Sequence, residues 1–168
     1  MLHVAHGTIR PRGATLAARL AQLHGALRDI VREQAPGEVA VERVFVAASP
    51  RAALVLGHAR GVALAAAAAA GVAVSEYAAS EIKLAVTGTG AAGKPQVGTM
   101  VERLLRLAVR PPRDAADALA VALCHAQAGR LVALVGERAT RRGARRAART
   151  PSRPAEIVSR SIVWRTVR

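Results

Sequence analysis

The sequence predicts a single α/β domain built on a mainly parallel sheet. Three observations carry this. A Val-rich run, Val39–Val46, is apolar almost throughout, as a strand covered on both faces requires. A long helical stretch follows it, and then a second strand-like run, Val72–Tyr77. Strand, helix, strand in that order implies a right-handed crossover and parallel pairing.

Leu2–Ile9 reads as a short strand. Gly13–Gln34 is an amphipathic helix, because Leu16, Leu20, Leu23, Leu27 and Ile30 recur in steps of three and four. Arg19, Arg28, Arg32 and Glu33 cover its other side, and Pro36–Gly37 ends it. After the strand Val39–Val46, Ser49–Pro50 opens a helix reaching to about Ala70. On it Ala53, Gly57, Gly61 and Ala65 form a row of small residues, suited either to a close core contact or to a dimer seam.

Beyond the strand Val72–Tyr77, Ser80–Val86 is a short helix and Thr87–Gly93 a Gly loop. The loop lacks both GxGxxG spacing and a following GKS or GKT, so it is not a nucleotide loop. Lys94–Leu107 is a helix with Pro95 in its tolerated first turn. Pro111 and Pro112 stop the chain before Pro112–Ala126, PRDAADALAVALCHA, the next helix.

At 168 residues the chain has the length of one domain with a possible tail. The net charge is +14, unevenly spread. Residues 1–128 carry 14 basic and 9 acidic side chains, whereas residues 129–168 carry 11 Arg against Glu137 and Glu156. Excess positive charge suits a polyanion, nucleic acid first. The domain is therefore placed at 1–128, with 129–168 expected as a disordered basic tail in which Ile157–Arg168 has nothing obvious to pair with. Cys124 is the only cysteine, which excludes an intramolecular disulfide and a Cys-based zinc site. Residues 1–10 hold two His and an Arg and no apolar run, so they are not expected to be a secretory signal, and the apolar stretch Gly61–Val74 is shorter than the roughly 20 residues of a span. A cytoplasmic protein with no membrane partner is expected.

Three acids stand out. Asp114 and Asp117, three apart, share a helix face. Alone they fit an N-cap and capping box. Glu42 lies inside the apolar strand, where an unpaired carboxylate costs several kcal/mol. Its neighbour Arg43 points to the opposite face. A mid-strand acid and two acids opening a later helix fit a site for a hard cation, Mg²⁺ or Mn²⁺.

The segments EVAVERVFVA, LGHARGVALAAA, VSEYAASEIKLAVTGTGAAGKPQV and RDAADALAVALCHA, in this order and spacing, resemble the RuvC family of Holliday junction resolvases. The resemblance covers about Leu2–Ala128. It implies a ribonuclease-H-like three-layer fold with a central mixed sheet, a homodimer, and metal-dependent hydrolysis of four-way junction DNA in recombination and repair. It implies that Glu42, Asp114 and Asp117 are metal-binding and catalytic acids, that two Mg²⁺ ions are held, and that a branch-migration helicase complex is a partner. Phe45 resembles the aromatic that stacks on junction bases, and Lys83 and Lys94 resemble basic residues near the scissile phosphate. Arg60 is expected to support DNA binding or the dimer helix. The family's first strand, with an Asp in a GIDPG motif, and its second strand have no counterpart in these residues. In the family's strand order, 3-2-1-4-5, that leaves the strand of Glu42 with an open edge and the site with three of four acids. Little or no cleavage by this chain as written is the corresponding expectation. The alternatives are a non-catalytic junction-binding protein on the same scaffold and a related nuclease of other substrate preference.

Overall fold

The computed structural model describes residues 1–43, 49–144 and 161–163. The element order is α1 (Leu16–Gln34), β1 (Glu38–Arg43), α2 (Pro50–Ala69), β2 (Ala73–Ala78), α3 (Ala79–Thr87), α4 (Lys94–Leu105), α5 (Arg113–Ala144) and β3 (Ser161–Val163).

Helix α1 begins where Thr15 accepts a hydrogen bond from the Ala18 N–H at 3.1 Å. It ends with Ala35 in the left-handed region at φ 43°, the position where helices usually place Gly. Its buried residues are Leu23, Leu27 and Val31. Leu16, expected on that face, is exposed. Ser49 caps α2 through the Ala52 N–H at 3.2 Å, and Pro50 fills the first turn.

The sheet order is β2-β1-β3, and both pairings are parallel. No antiparallel pair occurs among the described residues, so the mixed sheet that was expected is not seen in this part of the chain. Glu42 lies beside Tyr77 in the β1–β2 register. Two layers of helices cover the sheet. On one face Val39 and Val41 pack with Ala67 of α2, and α1 lies over α2 through Leu23, Leu27, Ala59 and Ala66. On the other face Ala40 joins Ile82, Val86, Val97, Val101, Leu119, Leu123 and Cys124 of α3, α4 and α5 in the main core.

Four expectations change. Leu2–Ile9 forms no strand; Ile9 packs instead against the α1–α2 cluster, and the segment is tied to α1 where Gln22 bonds both the N–H and the carbonyl of Arg12. The open edge of β1 is partly filled: Ser161–Val163 pairs with Glu38–Ala40. Helix α5 does not stop near Ala126 but continues to Ala144, across the boundary at residue 128 and into the segment expected to lack order. Its Arg and Ala content supports helix once an apolar stretch has nucleated it. Residues 145–160 and 164–168 of the expected tail lie outside the described residues. Finally, the apolar stretch is longer than Gly61–Val74. Helix α2 has 20 residues and a mean hydropathy of 1.5, long and apolar enough to cross a membrane by length and composition alone. Here α2 packs on α1 and β2 instead.

Candidate active site

Alternation along β1 fixes where Glu42 points. Ala40 faces α5 and is fully buried, while Val39 and Val41 face α2. Glu38 and Glu42 share the face of Ala40, by the two-residue period of a strand. Glu38 meets His125 of α5, its Oε2 2.5 Å from Nε2. That contact fixes one point of α5 on the strand; Glu42 lies four residues further along β1, and Asp117 eight residues back along α5. Asp114 lies eleven residues before His125, close to three full turns, so it shares the azimuth of His125. All three acids are half-buried.

Asp114 is not the N-cap. Helix α5 begins at Arg113, and the Ala116 N–H already bonds the Pro112 carbonyl at 2.9 Å. Asp114 sits inside the first turn, where the free N–H groups and the helix dipole favour a negative charge. Asp114 and Asp117 thus lie in the first turns of α5, and Glu42 lies near the C-terminal end of β1; open α/β sheets bind their ligands at the C-terminal ends of their strands. Three carboxylates are the right donor chemistry for a hard divalent cation. They are not closed into a ready-made cluster: among the described residues no group of three or more His, Cys, Asp or Glu side chains converges to hold a metal ion.

Arg43 binds Glu81 of α3 at 2.9 Å, so at the end of β1 its side chain reaches a helix on the face that α5 also covers. Glu81 also accepts the Ala78 N–H at 2.5 Å. That backbone bond, and then the Arg43 guanidinium, hold the Glu81 carboxyl below the usual carboxylate range. The pair fastens the end of β1 to the start of α3. Lys83 is half-buried on α3, and Lys94 is exposed at the first residue of α4. Arg60 is committed to Glu76 on β2 and fastens α2 to the sheet. Phe45 lies outside the described residues.

Sequence reasoning missed the Glu38–His125–Tyr77 chain. His125 is buried, and its Nδ1 lies 2.8 Å from the Tyr77 hydroxyl. Burial, and then the neighbouring Cys124 thiol, push the Tyr77 hydroxyl above its ordinary value. The available signal was a His on the buried side of an otherwise apolar helix, which has to find polar partners.

Comparison with known proteins agrees with the fold. The family model "Crossover junction endodeoxyribonuclease RuvC" matches residues 1–125. A crossover junction endodeoxyribonuclease RuvC of Halorhodospira halophila is 54% identical over 124 residues, covering 73% of this chain and 74% of the relative. One from Shewanella sp. strain ANA-3 is 48% identical over 141 residues, covering 83% and 82%. The structure of Thermus thermophilus RuvC superposes with a TM-score of 0.69 at 35% identity, over 76% of this chain and 78% of that one. The T. thermophilus protein in complex with Holliday junction substrate gives 0.66 at 36% identity, over 70% and 72%.

Proposed function

The chain belongs to the RuvC family of crossover junction endodeoxyribonucleases, and we propose that it resolves four-way DNA junctions by metal-dependent phosphodiester hydrolysis in recombination and repair. The reading is supported by the placement of Glu42 on β1 and of Asp114 and Asp117 in the first turns of α5, a helix that packs on β1. Those three carboxylates would hold Mg²⁺, two ions by resemblance, with Mn²⁺ accepted in its place. The metal would supply an activated water and stabilise the leaving oxygen.

The protein's own groups set the geometry. Glu42 is fixed by β1, whose Ala40 is locked under α5. Asp114 and Asp117 are fixed by the first turns of α5. Lys83 and Lys94 are proposed to contact the phosphates and Phe45 to stack on an unpaired base, a sequence-tolerant way to hold opened DNA. Arg60, tied to Glu76, is proposed to hold α2 in place rather than reach the DNA.

A homodimer is supported by α2. Its small-residue row Ala53, Gly57, Gly61 and Ala65 is exposed, and it lines an open apolar groove of about 850 Å³ with Leu20, Leu54 and Val62. That row takes no part in the described core, so the seam is the reading left for it. The basic residues of 129–168 are proposed to add sequence-independent DNA affinity. A cytoplasmic location and a branch-migration helicase complex as partner complete the proposal.

The test uses a labelled four-way junction. The 168-residue chain is expected to bind it in EDTA, in preference to linear duplex, and to cut it poorly. The fourth acid implied by the resemblance has no counterpart among residues 1–168. Fusing the two strands implied by the family resemblance, with their Asp, ahead of Met1 is expected to give paired symmetric nicks with Mg²⁺, abolished by Asp117→Asn. Binding without nicking by the fusion would leave only the non-catalytic junction-binding reading. Full nicking by residues 1–168 alone would show that three acids suffice.

A further inference from the structure

The buried side of α5 mixes Ala115, Ala116, Ala118 and Ala120 with Leu119, Val121 and Leu123, and the strand residue beneath it is Ala40. Apolar contact of this kind is non-directional. A slip of one residue would move Asp114 and Asp117 by about 1.5 Å along the axis and turn them by about 100°. Something must fix the height and rotation of this helix if its first turns are to carry a reaction centre.

His125 is the only buried polar or charged residue among the described side chains. An apolar residue would fill its place in a helix otherwise lined by Leu119, Val121 and Leu123. The imidazole instead binds two strands at once. Nε2 bonds Glu38 of β1 at 2.5 Å, and Nδ1 bonds the Tyr77 hydroxyl of β2 at 2.8 Å. The carboxylate accepts, so Nε2 carries a proton, and in the matching tautomer Nδ1 accepts from the phenol. Both nitrogens are used, each in one direction. Two directional bonds to two strands define a position along the helix and a rotation about it, which apolar contact alone does not.

We propose that Glu38, His125 and Tyr77 form a clamp that fixes the register of α5 on the sheet and so positions Asp114 and Asp117 against Glu42. They are positioning residues, remote from the reacting atoms. The proposal rests on the reading of those acids as one divalent-cation site.

The test measures Mn²⁺ binding to the full 168-residue chain by electron paramagnetic resonance, with ¹⁵N spectra of His125 in parallel. The wild type is expected to show a fixed Nε2–H tautomer with Nδ1 as acceptor. Tyr77→Phe removes one hydroxyl, and it is expected to weaken Mn²⁺ binding about tenfold, as changes to outer supports of metal sites do. Metal-free junction affinity is expected to stay within about twofold, because backbone contacts to DNA do not pass through the clamp. His125→Gln can donate to Glu38 and accept from Tyr77, so it should recover most of the binding that His125→Leu loses. Unchanged Mn²⁺ affinity in both Tyr77→Phe and His125→Leu overturns the clamp. Equal loss in His125→Gln and His125→Leu, or loss of junction affinity in step with metal affinity, also overturns it, because the residues are then only structural. A wild type that takes no Mn²⁺, or takes it without regard to Glu42→Gln, refutes the cation site itself.

Discussion

Replacing Ala40 by Val should damage the candidate site without touching an acid. Ala40 is fully buried between Glu38 and Glu42, on the face of β1 that α5 covers. Two added methyl groups at a fully buried position press on the helix packed over it. Overpacking of this size costs about 1–3 kcal/mol. At roughly 2–4 °C per kcal/mol for a chain of this length, the thermal midpoint should fall by about 2–12 °C. The protein remains folded, and the separation of Glu42 from Asp114 and Asp117 grows by a fraction of a methyl diameter. A displacement of about 1 Å at a reacting centre costs on the order of a hundredfold in rate. Junction nicking by the strand-extended fusion should therefore fall far more than stability does, while junction binding in EDTA holds. Leu123→Ala on the helix side vacates volume in the same core, so the double variant should recover part of the lost rate despite the usual cost of a cavity. Normal nicking by Ala40→Val, or additive losses in the double variant, would refute the account of how β1 and α5 are spaced.

Glu81 titrates below its ordinary value of 4.5 in the folded chain, so its contribution is complete above that value and is lost as pH falls through the lower folded value. The difference in thermal midpoint between wild type and Glu81→Gln should thus close on acidification from pH 6 to pH 3; a gap that widens would reverse the sign. Burial, and then the Glu81 charge, push the Cys124 thiol up to about 11 from 9.0. At pH 8 its thiolate is about a hundredfold scarcer than that of an ordinary thiol, so a maleimide should label it only after urea unfolding. Ala35 holds φ 43°, a left-handed conformation that costs a residue with a Cβ about 1 kcal/mol, so Ala35→Gly should raise the thermal midpoint by a few degrees.

Local chemistry made much of this fold legible. Pro36–Gly37 and Ser49–Pro50 bracket β1 and α2 because turn and cap preferences act over three or four residues. The pairing of β1 with β2 followed from the length of the helix between them. Glu42 was conspicuous because a carboxylate among valines needs an explanation. Pairings across long separations were not legible. Leu2–Ile9 has the composition of a strand, but no neighbouring strand claims it, and Ile9 packs against helices instead. Ser161–Val163 lies more than a hundred residues from the strand it joins, and nothing local marks it. The extension of α5 past Gly129 was hidden because Arg-rich composition is shared by exposed helix and by tails without structure. His125 was missed because its partners, Glu38 and Tyr77, are meaningful only once three elements have met.

The central claim is that Glu42, Asp114 and Asp117 act as one cation site. The most direct test is a double-mutant cycle on Mn²⁺ affinity between Glu42→Gln and Asp117→Asn in the 168-residue chain. Ligands of one ion are not independent, so the account expects strong non-additivity: each single change removes most of the affinity, and the second adds little. Additive losses, or Mn²⁺ binding that ignores either residue, would contradict it.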